Sequence, residues 1–350
     1  FFNESNLGKL KLFLMKLFNI HPINFSKIKI KNKNINHFAT IKKSFLEKNF
    51  KNLFDTFIKK FNNHFNDYEK KGRATKIFFS KNNFNLIIIN SLRGTSRLID
   101  ANRGKKQKLL NIPHGTVTKS YNKYDKIYKN NIANSVVSTK ADYVMAQSKI
   151  SENFFLNKNY QKKQILKGNL IFSSVKQKSR DFLLYAVTTK QFFNMHFLGV
   201  DMFYEFYENL KFLNKVSKLI NLKIVVKLHP SEINNLIDLS NIFKNIHFSK
   251  LSLDKLLKNS LATLSFSSTV IEDSLNSGVP VILFDRWKRY KHFDEIKYKG
   301  TKYPLFYLND KNKLLDCVKR IRSISKFEFE KIIFQKNFKK NIEENISSLI

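Results

Sequence analysis

The segment from Leu261 to Phe284, LATLSFSSTVIEDSLNSGVPVILF, constrains the fold most. An apolar run of strand length stops at Ser265, Ser267, Ser268 and Thr269, a helical pattern starts at once, and Gly278-Val-Pro280 turns the chain into a second apolar run. A strand, a helix and a strand in so little chain form a crossover unit of a parallel sheet. Strands in such sheets are covered on both faces and so read as continuous apolar runs rather than alternating ones.

The same pattern recurs along the chain. Strands are expected at Lys76–Phe79, Asn85–Ile89, Leu109–Ile112 and Tyr143–Ala146, with helices over Leu46–Tyr68 and Ser96–Lys106. After a polar stretch at Ser173–Arg180 a second series begins, with strands at Phe182–Val187, Lys223–Leu228, Leu261–Phe266 and Val279–Phe284. Helices are expected at Asp201–Ile220 and Val270–Ser277, and a charged amphipathic helix from Phe327 onward. At 350 residues the chain is too long for one such sheet with its helices and suits two. The expected organisation is an N-terminal domain over 1–172, a C-terminal domain over 181–322, and a terminal helix over 323–350. The sequence opens on Phe1-Phe2 without Met, which suggests a fragment whose first strand or two is missing.

The formal charge of +37 would suit a nucleic-acid binder. The excess is nearly all Lys, however, and it accompanies abundant Asn, Ile and Phe, the residues of A/T-rich codons. That bias explains all four enrichments, whereas recognition of bases and phosphates would draw on Arg forks. Nucleic acid is therefore not an expected partner, although a basic surface favours nucleotides, acidic polymers and anionic lipid. Cys317 is the only cysteine, so no intrachain disulfide can form and a reducing compartment is expected. No apolar run reaches the length of a membrane-spanning helix.

Three segments carry chemistry, each at the carboxyl end of an expected strand, where open α/β sheets bind ligands. In LSFSSTVIEDS, hydroxyls and N–H groups at a helix start can hold a phosphate, and Glu272 can accept from ribose hydroxyls. The competing reading of Thr269-Val-Ile-Glu272 is a capping box with no ligand. In KIVVKLHP, Pro230 ends the strand and leaves His229 at the sheet edge, beside Lys227, where an imidazole can donate to a phosphate or leaving group. In LLNIPHGTVTK, Gly115 permits a sharp turn, His114 can take a proton from an acceptor hydroxyl, and Thr116 and Lys119 are candidate contacts for an acceptor or phosphate. For His229 and His114 the alternative is a structural or loop histidine.

Taken in chain order, H-G-T, then K-x-H-P, then S-S-T-x-x-E before a G-x-P strand, the sequence resembles bacterial GT-B glycosyltransferase-like enzymes of surface polysaccharide synthesis. That group includes capsule polysaccharide transferases, CDP-glycerol glycerophosphotransferases and polysialyltransferases. The resemblance runs from about Ile77 to Asp285. It lacks the Asp-Asp-Gly element of the polysialyltransferases, and Pro113 stands where a Trp often precedes the His-Gly of the glycerophosphotransferases.

The resemblance implies an α/β protein of GT-B type, with two Rossmann-like domains whose parallel sheets face across a cleft. It implies His114 as base, His229 with Ser267, Ser268 and Thr269 on the donor phosphate, and Glu272 on the ribose. The reaction implied is transfer of a sugar or polyol phosphate from a CMP-, CDP- or UDP-activated donor to a cell-surface polysaccharide or its lipid-linked precursor. It would proceed by inverting displacement, in the cytoplasm or at the inner face of the membrane. No Asp-x-Asp occurs, and the His and acidic residues lack metal-ligand spacing, so neither a metal nor a cofactor is expected. Two alternatives remain: a nucleotide-sugar 2-epimerase of the same fold, which would want several carboxylates facing the sugar, and a non-catalytic basic protein that binds RNA or membrane.

Overall fold

The computed structural model describes residues 51–116, 136–187, 200–229, 239–287, 302–334 and 344–349, apart from 139 and 309, together with 126, 196–197 and 293. In chain order its elements are α1 (Lys51–Lys81), β1 (Leu86–Ile89), α2 (Thr95–Asn102), β2 (Lys108–Asn111), β3 (Tyr143–Ala146), α3 (Lys149–Leu156), β4 (Ile165–Lys167) and β5 (Phe182–Ala186). They continue with β6 (His196–Phe197), β7 (Val200–Asp201), α4 (Met202–Ile220), β8 (Lys223–Lys227), β9 (Ile246–Phe248), α5 (Leu253–Leu257), β10 (Ser260–Ser265), α6 (Val270–Asn276), β11 (Val281–Phe284), β12 (Leu305–Leu308) and α7 (Leu314–Ser323).

One sheet has the order β1-β2-β3-β4, with β1, β2 and β3 parallel. The other has the order β12-β11-β10-β5-β8-β9 and is parallel throughout. The protein is thus a mixed α/β chain with two parallel sheets, as the alternation of apolar runs and helical patterns requires. Two compact units account for the described residues: 51–113, 136–144 and 346–349 form one, and 114–116 and 126 with those of 145–345 form the other. Within the first unit, Lys108 Nζ donates to the carbonyl of Leu349 at 3.1 Å.

The six-stranded sheet shows why its strands read as unbroken apolar runs. Successive side chains point to opposite faces. On β5, Leu183 and Tyr185 join the larger core under α4 and α7, while Phe182 and Leu184 pack on the other face with Leu256 and Leu257 of α5. On β11, Ile282 and Phe284 face the larger core, and Val281 and Leu283 face Ile271 and Leu275 of α6. Each such fully buried Leu or Ile contributes about 1.5–3 kcal/mol relative to exposure. Asp201 caps α4 by accepting from the Tyr204 N–H at 2.7 Å, and the helix ends at Asn221 in a left-handed conformation with φ 44°.

Two expectations need correction. Lys76–Phe79 is no strand; it forms the last turns of α1. Ala74, Thr75 and Phe79 are its buried positions, a helical spacing, and Thr75 Oγ1 donates back to the Lys71 carbonyl at 2.7 Å. Gly72 does not break the helix: it faces α2, where a Cβ would lie 3.6 Å from Leu98 Cδ2, in ordinary van der Waals contact. Nor does a helix start at Phe327. That ring is buried edge-on to Phe306, the Arg180 guanidinium lies 5.8 Å from its centre, and a single 3₁₀ turn at Phe329–Lys331 follows up to residue 334, with helix described again at 344–347. Residues 335–343 lie outside the described residues, as do the expected helix over Leu46–Tyr68 up to Phe50 and everything before it. Among the described residues no helix is long and apolar enough to cross a membrane.

Candidate functional site

All three motifs leave strands at their carboxyl ends: His114 follows β2, His229 follows β8, and Ser267, Ser268 and Thr269 follow β10. Side chains there escape the core, and His114, Gly115, His229, Ser267 and Ser268 are half-buried while Thr269 is exposed. In the sheet, β5 separates β8 from β10, so the strand that His229 follows lies two strand spacings, roughly 10 Å, from the one that the hydroxyl cluster follows. Lys227, the last residue of β8, is half-buried, and desolvation lowers its ammonium pKa below the usual 10.5. Lys119 lies outside the described residues.

Among the hydroxyls the structure distinguishes roles. Ser265 is fully buried and donates to the Ala186 carbonyl of β5 at 3.0 Å, so it ties two strands together and faces no ligand. Ser268 Oγ accepts from the Val270 N–H at 3.3 Å and so serves the first turn of α6. Thr269 is the N-cap residue, yet its φ and ψ of −63° and −13° are already helical and its side chain makes no capping bond. The capping-box reading of Thr269 and Glu272 is therefore not what forms. At seven residues α6 is short; whatever anion affinity this edge has must come from local hydroxyl and N–H donors.

Glu272 is 2% exposed, and its Oε1 accepts the backbone N–H of Thr116 at 2.9 Å across 156 residues of sequence. The two motifs read separately from the sequence thus meet. Gly115 lies in the same place, where a Cβ would touch only Thr269 Cγ2, at 3.7 Å. Gly115 does not have positive φ, which corrects the expectation that glycine is needed there for a sharp turn. Thr116 is 6% exposed, and its Oγ1 is buried with no hydrogen-bond partner among the described residues. At the other end of α6, Gly278 does take positive φ, 75°. Its N–H donates to the Leu275 carbonyl at 3.1 Å and that of Val279 to Ser274 at 2.9 Å. These bonds close the helix in the double-bonded left-handed terminus that favours glycine.

Sequence reading missed the residues after β11. Arg286 Nη1 donates to Asn209 Oδ1 at 3.1 Å, Asn209 Nδ2 donates to the Tyr185 hydroxyl at 3.2 Å, and the guanidinium lies 5.1 Å from the centre of the Trp287 ring. Asp285, fully buried, accepts from the Tyr307 hydroxyl at 3.4 Å. The available signal was the chain's single Trp, set next to one of its scarce Arg residues at a strand end. Tyr185, Glu205, Asn209 and Phe266 line a cavity of ≈ 10 Å³ beside this network. That is room for about one water and none for a nucleoside.

No protein-family model matches the sequence, and neither does any curated protein. Solved structures do resemble the fold. UDP-GlcNAc 2-epimerase of Methanocaldococcus jannaschii, in complex with UDP-GlcNAc and UDP, is 16% identical over 82% of this chain and 81% of its own, with a TM-score of 0.55. The Neisseria meningitidis UDP-GlcNAc 2-epimerase bound to UDP-GlcNAc is 12% identical over 97% and 88%, with a TM-score of 0.56. The lipopolysaccharide outer core galactosyltransferase WaaB, in its apo form, is 13% identical over 82% of each chain, with a TM-score of 0.46. The two epimerase structures carry the conclusion that this chain has the GT-B type of fold, with two Rossmann-like parallel sheets.

Proposed function

We propose that this protein is a GT-B glycosyltransferase that moves a sugar, or a polyol phosphate, from a nucleotide-activated donor to a cell-surface polysaccharide or its lipid-linked precursor. The observation that carries this reading is the bond from the Thr116 N–H to Glu272, which sets the His114 turn against the start of α6, beside the hydroxyls suited to a donor phosphate. For a sugar donor, in this reading, His114 takes the proton of the acceptor hydroxyl as its oxygen attacks the anomeric carbon. The bond from that carbon to the nucleotide phosphate breaks, with inversion. Negative charge grows on the departing phosphate. Ser267, Ser268, Thr269, His229 and Lys227 are the donors available to stabilise it, at an edge where fixed dipoles act with little reorganisation. The resemblance assigns Glu272 to the ribose hydroxyls. The acceptor would meet the enzyme in the cytoplasm or at the inner face of the membrane.

A second reading, a nucleotide-sugar 2-epimerase, is supported by the two solved structures of that activity with the same fold. One experiment separates the readings. The purified protein is incubated with UDP-GlcNAc and with CMP-, CDP- and UDP-linked sugars in D₂O, with and without an acceptor glycan. A transferase releases nucleotide faster when acceptor is added and leaves C2 of the sugar unlabelled; deuterium at C2 without acceptor would replace it by the epimerase. For the transferase, His114→Ala abolishes turnover while calorimetry finds donor affinity nearly unchanged. Equal loss of both would remove His114 as base.

A further inference from the structure

Glu272 sits poorly for contact with a bound ribose. Its side chain is 2% exposed, and one carboxylate oxygen already accepts from the Thr116 amide. What that bond fixes is the turn His114-Gly115-Thr116. Gly115 has no side chain to hold, and its nearest neighbour would be Thr269 Cγ2, three residues before Glu272. The turn therefore lies on the first turn of α6, and the anchor between them is a hydrogen bond to a carboxylate, stronger than a bond between neutral groups. The turn also keeps the Thr116 hydroxyl buried without a partner among the described residues, an unfavourable placement that some other interaction has to offset.

We propose that Glu272 is a positioning residue: by holding the Thr116 amide it fixes where His114 projects, so the candidate base and the donor-side helix α6 move as one piece. The catalytic consequence rests on the transferase reading, because His114 matters as a base only there; the anchor does not. Placement of a proton-transfer group to within an ångström is worth orders of magnitude in rate. The carboxylate acts through His114 and touches no reacting atom.

The test compares Glu272→Ala and Glu272→Gln in the full chain. An amide oxygen accepts the same bond, so the Gln variant is the conservative rescue. In Glu272→Ala, hydrogen exchange at the Thr116 amide accelerates about 10- to 100-fold, the equivalent of one charge-assisted bond, and the His114 ring resonances shift. In Glu272→Gln both remain close to wild type. Neither readout needs turnover, so they hold even if no nucleotide sugar proves to be a substrate. In the active enzyme, Glu272→Ala lowers kcat by about 10-fold or more, with donor KM and calorimetric UDP, CDP or CMP affinity within about twofold. Glu272→Gln recovers most of that kcat. Unchanged exchange and unchanged His114 resonances in Glu272→Ala overturn the anchor. Nucleotide affinity falling in step with kcat/KM, with kcat itself intact, returns Glu272 to the ribose.

Discussion

Replacing Gly115 and Gly278 by alanine, one at a time, is expected to move stability in opposite directions, although both glycines flank the same helix. At Gly115 the φ is one any residue adopts, and among the described residues the added methyl would meet only Thr269 Cγ2 at 3.7 Å, ordinary van der Waals contact. The substitution then acts through the unfolded chain, which loses conformational freedom, and stabilises by about 0.4–1 kcal/mol. At Gly278 no atom of the described residues lies within 4 Å of the added Cβ, so none of them clashes, but φ is +75°. A residue with a Cβ pays about 1–2 kcal/mol for that conformation. At about 2–4 °C per kcal/mol for a unit of this size, Gly115→Ala raises Tm by roughly 1–4 °C and Gly278→Ala lowers it by roughly 2–8 °C. Differential scanning fluorimetry, followed by denaturant titration to compare midpoints at constant slope, reads both. If substrate approaches the bare backbone at Gly115, the stabilised variant also loses turnover, the usual conflict between stability and a working site. Destabilisation by Gly115→Ala of more than about 1 kcal/mol would refute the argument, because neither backbone strain nor crowding there could account for it.

Further tests follow from the same geometry. Burial lowers the Lys227 pKa, so the unfolded chain binds that proton more tightly than the folded one; stability is penalised at neutral pH and recovers as pH rises from the lowered folded value through 10.5. Lys227→Met is therefore expected to raise Tm at neutral pH, with the gain over wild type shrinking as pH approaches 10.5; a gain independent of pH would disprove that origin. Asp273 is 6% exposed and its Oδ1 accepts the Ser173 N–H at 2.6 Å, at the start of the polar stretch that precedes β5. Asp273→Ala should cost about 1.5–3 kcal/mol in urea denaturation, and Asp273→Asn less, since an amide oxygen can still accept. Leu264, fully buried in the central strand β10, should cost about 2–5 kcal/mol when cut to Ala; a cost under 1 kcal/mol would mean that this core is loosely packed.

The sequence by itself determined four strands of the six-stranded sheet, β5, β8, β10 and β11, and β1, β2 and β3 of the other; it did not show β4, β9 or β12. Burial on both faces of a parallel strand leaves a mark that needs no knowledge of neighbours: a short run of mostly apolar residues that stops at polar or turn residues. Tyr143–Ala146 shows it without error, and the strands at Phe182, Lys223 and Leu261 lie within a residue or two of where they were read. Short strands such as Ile165–Lys167 and Ile246–Phe248 escaped because three residues are too few to show a period. Lys76–Phe79 misled because an apolar run looks alike in a strand and on the buried side of a helix; packing of the helix against Leu98 decided between them. At the candidate site, the local chemistry was legible: histidines and hydroxyls standing where apolar strands stop. The partner of Glu272 was not. A T-x-x-E pattern specifies a cap by local geometry, whereas the bond that forms reaches an amide 156 residues away. Only the folded chain could choose it, because a hydrogen bond between segments so far apart in sequence depends on the tertiary path of the chain, and no local pattern encodes that.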